Sequence, residues 1–313
     1  MGTMLLLIGA DWFIDGAVDL GRAIGVSALV LGVILVGLEP EEMLTAAIAS
    51  ARGAPALAVG NVVGTNVTIV TVALGPSALI WPIVFDRSIR RQAVIATLVS
   101  LVPVVLLFTG SVSRLAGAFL LALFVGYTVF LLRTDRAAFK RTAEADDDDD
   151  EEVETVHGAR PNAGKVPWKF IVLTLGGLLA MAIGGPAVVE GALQLAHLAG
   201  LGQGVVGATI VSLGTGAEMI ALGISTARKR RPDILVGGIL GSFAYNLLVT
   251  LGLAAVIRPI TVEPQFARVA VTAMILVHLA LLALIWYGKM NRIMGGLFVA
   301  TYAVYLVSIV LLH

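Results

Sequence analysis

A carboxylate-bearing break in an apolar stretch, followed by a glycine-rich apolar stretch, occurs twice in this 313-residue chain. In the first copy Gly37-Leu38-Glu39-Pro40-Glu41-Glu42 precedes Gly60-Asn61-Val62-Val63-Gly64-Thr65-Asn66. In the second, Gly214-Thr215-Gly216-Ala217-Glu218 precedes Gly237-Gly238-Ile239-Leu240-Gly241-Ser242. Glu218 follows Glu42 by 176 residues and Gly241 follows Gly64 by 177, so one insertion separates the copies. An ionised carboxylate at membrane depth costs about 2.5–3.5 kcal/mol or more unless it faces a partner or a wet cavity. Carboxylates in matching halves of a duplicated membrane chain therefore point to an ion site at the bilayer midplane.

The rest of the chain has the composition such a protein needs. Hydrophobic residues make up 58% and charged residues 13%, far from a soluble domain. The 35 glycines suit close helix packing in lipid. Apolar runs long enough to cross a bilayer predict ten helices, at about 3–21, 27–51, 56–81, 91–110, 113–133, 168–190, 203–227, 234–257, 267–288 and 293–312. The predicted fold is an all-α integral membrane protein of two five-helix repeats, 1–133 and 168–313, joined by an acidic linker, 134–167. An odd number of helices per repeat inverts one repeat relative to the other. All Lys and Arg except Arg52, Arg114, Arg258 and Arg268 fall on the side of the linkers after odd-numbered spans. The positive-inside rule then predicts a multi-pass cell-membrane protein with 134–167 cytoplasmic and both termini outside. No Lys or Arg precedes the first apolar run, so no cleavable signal peptide is expected. Zero formal net charge gives no case for nucleic acid.

The chemistry lies in the two breaks. Gly37 and Pro40 in span two, and Gly214 and Gly216 in span seven, loosen the helical hydrogen-bond ladder, and freed carbonyls must face protein or water. Carbonyls and carboxylates together form an all-oxygen site suited to a hard cation such as calcium or sodium. The chain has no cysteine and neither break holds a histidine, which argues against a soft or imidazole-bound metal. Thr65, Asn66 and Thr68 in span three, with Ser242 and Asn246 in span eight, add hydroxyl and amide oxygens. Gly60/Gly64 and Gly237/Gly241 form small-residue faces expected to bring span two close to three and seven close to eight.

These elements resemble the sodium/calcium exchanger family of cation/calcium antiporters, whose two repeats read roughly G-T-S-L-P-E-L…G-N-x-x-G-S-N. Glu42 to Gly53 follows that pattern after its glutamate, and Gly60 to Asn66 matches the glycine element closely. Before Glu42 the Thr-Ser pair is missing and Glu39 and Glu41 are added; Gly214-Thr215 is kept, with one residue lost before Glu218. The resemblance implies that Glu42 and Glu218 are paired calcium ligands, that Thr215 gives a backbone carbonyl, and that Thr65 and Ser242 are sodium-ligating hydroxyls. It places Asn246 in the central site, where the first repeat has the non-ligating Ile69. Glu39, Glu41 and Glu42 remain alternative carboxylate ligands, and extra carboxylates in a shared site make occupancy more sensitive to pH.

The expected function is secondary antiport by alternating access, exporting calcium against inward sodium, with no cofactor beyond the transported ions. The protein is expected to act as a monomer in the lipid bilayer. A proton-coupled divalent-cation antiporter is the nearest alternative; a cation channel would need an open pore and rings of ligands. No nucleophile–base pair or cofactor motif supports an enzyme. Asp11, Asp15 and Asp19 share one helix face and, like Glu190, read as acids near a helix end facing water. The acidic linker, with His157 in it, reads as a solvated tether. His197 and His278 read as packing residues and His313 is terminal.

Overall fold

A computed structural model describes residues 8–9, 11–13, 15–16, 37, 39–145, 168–177, 179–180 and 203–311. We number the helices α1 (Pro40–Ala51), α2 (Pro55–Ile80), α3 (Arg87–Phe108), α4 (Arg114–Ala145), α5 (Trp168–Gly177), α6 (Gly204–Arg228), α7 (Pro232–Ile257), α8 (Pro264–Tyr287) and α9 (Arg292–Val310). Among the described residues seven are long and apolar enough to cross a membrane: α2, α3, α4, α6, α7, α8 and α9. Most of expected span one, 27–36 of span two, the linker from 146 and most of span six lie outside the described residues, as do Asp19, Glu190, His157, His197 and His313.

Most expected boundaries agree with the helices to within a few residues. Prolines set several of them: Pro40, Pro55 and Pro232 each open a helix at its first turn, where the missing N–H costs nothing. One boundary differs. The helix expected to stop at 133 runs on to Ala145, twelve residues into the stretch read as linker. The hydropathy run ends near 133, but Ala, Arg, Lys and Glu are strong helix formers and continue the helix past it.

Burial divides the bundle into a core and a sheath. In α7, 94% of the apolar window is buried and in α2, 89%, against 22% in α4 and 28% in α9. The sheath exposes Leu115, Val125, Ile293, Leu297 and Val304, the surface a helix presents to lipid. Trp81, Trp286 and Tyr287 are exposed at the ends of α2 and α8, as expected of an interfacial aromatic belt.

The two core helices repeat each other. Pro55 and Pro232 open them, π-helical segments Ile69–Ala73 and Asn246–Thr250 interrupt them, and extended Trp81 and Arg258 close them. Each is followed by a two-residue strand, β1 (Ile83–Val84) and β3 (Ile260–Thr261). β1 pairs antiparallel with β4 (Lys289–Met290), and β3 with β2 (Ser111–Val112), so each strand pairs with the other half of the chain. The two ladders sit at opposite ends of α3, roughly 33 Å apart at 1.5 Å per residue. This places the linkers after expected spans three and nine together, and those after spans four and eight together.

The glycine stripe is used differently from expectation. Gly60 and Gly64 face α6 of the other half. A Cβ on Gly64 would stand 2.6 Å from the Ala208 carbonyl oxygen, and one on Gly207 would stand 2.5 Å from the Leu57 carbonyl oxygen. The physical reason is connectivity. The three-residue turn 52–54, with Gly53 at φ 84, already makes α1 and α2 neighbours. Helices distant in sequence need backbone-to-backbone contact to hold them together in lipid.

Candidate cation-binding site

Local sequence puts the carboxylates where the helices break. Pro40 disfavours helical backbone at the residue before it, and Glu39 sits at φ −108, ψ 78, outside the helical region. α1 therefore starts afresh at Pro40, with Glu42 in its first turn, where the positive end of the helix dipole favours a carboxylate. The second repeat does the same: α6 is interrupted at Gly216, and Glu218 lies in the first turn of its second segment, Ala217–Arg228.

Glu42 is fully buried. Thr65 Oγ donates to its Oε1 at 2.7 Å, and Asn61 Nδ2 donates to its Oε2. Asn61 and Thr65 are four residues apart on α2 and so share one face. Glu39 is also fully buried, and its Oε2 accepts a 2.7 Å hydrogen bond from Asn246 Nδ2 on α7. Thr250 Oγ donates to Asn246 Oδ1 at 3.3 Å, which fixes the amide with its nitrogen toward the carboxylate. The first carboxylate is thus held within its own half and the second across the two halves.

Among the described residues three fully buried side-chain oxygens near these groups in sequence have no hydrogen-bond partner: Asn61 Oδ1, Asn66 Oδ1 and Ser242 Oγ. Asn66 spends its amide nitrogen on the Val62 carbonyl at 2.9 Å. Buried oxygens left without donors, beside buried carboxylates, are a donor set that fits a hard cation. Glu218 is half-buried, and it does not join Glu39 and Glu42 in a metal-holding group of three carboxylates. The side chains of Glu41 and Thr215 lie outside the described residues. Thr68 is buried and donates to the Tyr302 hydroxyl at 3.4 Å, a packing contact with α9. Ile69 is wholly buried.

Asp11 and Asp15 are partnered as well as partly exposed. Ser225 Oγ donates to Asp11, and Lys229 Nζ lies 2.8 Å from Asp15 and 3.1 Å from the Asp11 carbonyl. His278 packs against the Phe243 ring. Sequence reasoning missed Asn61 as a site residue although it stands inside the glycine motif. Its four-residue spacing from Thr65 was the available signal. The pairing of Glu39 with Asn246 had no signal in one sequence, because the two residues are 207 apart and belong to different repeats.

Buried carboxylates in the first turns of helices within an apolar bundle are a feature expected of a membrane protein that handles cations. The comparisons name the family. The sequence profile of the sodium/calcium exchanger protein family matches residues 1–133 and 169–311, and the chain belongs to that family. Inner membrane protein YrbG of Escherichia coli (strain K12) is 30% identical over 289 residues, covering 91% of this chain and 87% of YrbG. Sodium/calcium exchanger MaX1 of Methanosarcina acetivorans is 26% identical, covering 98% and 96%. The solved structure of the sodium-calcium exchanger NCX_Mj soaked with sodium and strontium superposes with a TM-score of 0.79 at 25% identity, over 98% of this chain and 96% of that one. The protein is a helical membrane antiporter of the cation/calcium type.

Proposed function

We propose that this protein exchanges sodium for calcium across the cell membrane, exporting calcium, and that Glu42 and Glu39 carry the exchanged cations. The observation behind this reading is that two carboxylates at one helix break are fully buried, each held by an amide, one from each half of the chain. Burial of two such groups is stabilised by a bound cation and makes poor sense as packing alone. Glu218, Thr65, Ser242, Asn246, Asn66 and the Thr215 carbonyl complete the proposed donor set, with Glu41 as a further carboxylate. Sodium and calcium would compete for the same oxygens, so occupancy by one excludes the other, and that competition couples their movements. Alternating access would rock the first and sixth spans against the core of α1, α2, α6 and α7.

The pairing of linkers supports the inverted-repeat topology. The excess of Lys and Arg on the side of 134–167 supports a cytoplasmic linker with the termini outside, and the monomer is proposed as the working unit. One specific observation favours a second reading, proton-coupled calcium antiport. Glu39 and Glu42 are three residues apart and both buried, an arrangement in which one carboxylate can exchange a proton while the other holds a cation.

Initial calcium flux in proteoliposomes separates the two. An outward sodium gradient should drive calcium uptake into sodium-loaded vesicles, and Glu42→Gln should not support it. Calcium uptake driven by a pH gradient with no sodium present would favour proton coupling instead.

A further inference from the structure

We infer that Asn61 is a positioning residue for Glu42, clamping that carboxylate in its cation-binding orientation. The inference rests on the proposed role of Glu42 as a cation ligand.

Asn61 is almost completely buried on α2. Its Nδ2 donates to Glu42 Oε2, while its Oδ1 has no partner among the described residues. A buried amide carbonyl left open costs free energy, and good core packing would remove it by placing an apolar residue there. The amide is therefore held by its bond to the carboxylate. Thr65, one turn further along, holds the other oxygen of Glu42. Two donors on separate oxygens of a carboxylate fix its plane.

The helix carrying Asn61 cannot slide easily. On either side of it Gly60 and Gly64 press directly against the backbone of α6, and a Cβ at Gly207 would stand 2.9 Å from the Asn61 nitrogen. The clamp is thus mounted on a direct backbone-to-backbone contact between α2 and α6. By the 177-residue repeat, Asn61 corresponds to Gly238, so the second repeat places no side chain at this position. Pre-orientation lowers the cost of binding, so Glu42 meets an arriving cation already oriented.

The test is equilibrium calcium binding, with sodium competition, to the purified full-length protein in detergent. Removing a donor to an ionised group predicts about 10- to 100-fold weaker calcium binding for Asn61→Ala. Asn61→Leu, of similar volume but with no donor, should be at least as weak. Unchanged thermal midpoint and elution volume show that each variant folds. The decisive readout is coupling: in a Glu42→Asp background, where the shorter carboxylate is out of reach, Asn61→Ala should cost less than about threefold more. An equal loss in both backgrounds, or an Asn61→Leu variant that binds calcium as tightly as the parent, would overturn the clamp while leaving the exchange reading intact. A parent protein that binds no calcium, or from which sodium displaces none, overturns the exchange reading and the clamp with it.

Discussion

The two halves of this molecule match in backbone and differ in chemistry. α2 and α7 open on proline, turn through a π-helical segment at the same place and end in a short strand. The side chains on that frame are not matched. The first half supplies the buried carboxylates Glu39 and Glu42 with Asn61 as clamp, and has Ile69 where the second half has Asn246. The second half supplies that amide, gives it to Glu39, and has Gly238 in place of Asn61. The backbone frame is shared by α2 and α7, and the polar side chains mounted on it are not.

The division can be broken from the first half. Glu42→Gln should abolish sodium-driven calcium flux, a loss of about 100-fold or more, because a neutral amide cannot offset calcium desolvation and leaves its donors mispaired. Glu218→Gln should also abolish it if both halves ligate. Near-normal flux in Glu218→Gln would show that the first half binds alone.

The next effect is structural. Gly64→Val places a side chain on the Ala208 backbone, where a Cβ already stands at 2.6 Å, and should cost at least about 1–3 kcal/mol. The check is yield of monodisperse protein and thermal midpoint, with Ala56→Val at an exposed position of the same helix as control.

The cross-half bond gives a smaller change. Asn246→Leu removes the donor to Glu39 and should lower calcium flux about tenfold. In a Glu39→Gln background, where the carboxylate is already lost, Asn246→Leu should cost little more, because the two residues act as one unit. Fully additive losses would contradict the pairing.

The smallest effect lies outside the core. Lys229→Gln breaks partly exposed contacts to Asp11 and Asp15 and should cost at most about 1 kcal/mol of stability. Removal of 146–154 should leave flux unchanged. A large loss in either variant would mean that the periphery takes part in transport.

The sequence made the frame readable because prolines, apolar runs and repeated glycines act locally. Pro55, Pro232 and the run ending near Ile257 leave little choice of boundary. Carboxylates in apolar surroundings announce themselves, which made Glu39, Glu42 and Glu218 candidates, and Thr65 and Asn246 followed from their place in the repeat. What could not be read was which group meets which. Nothing local distinguishes a glycine stripe facing its sequence neighbour from one facing the other half, as Gly60 and Gly64 do. Nothing local pairs Glu39 with Asn246 either. The end of α4 was misplaced because hydropathy marks where the membrane ends, whereas helix propensity carries the helix on to Ala145.

The central claim is that the first-half carboxylates hold the transported cation. A crystal soaked in strontium, a calcium stand-in with a usable anomalous signal, tests it most directly. The account predicts an anomalous peak within roughly 2.3–2.7 Å of a Glu42 carboxylate oxygen, with a Glu39 or Asn246 oxygen in the same shell, that fades as sodium is raised. A peak confined to Glu218, or bound strontium with none of these oxygens in reach, would contradict it.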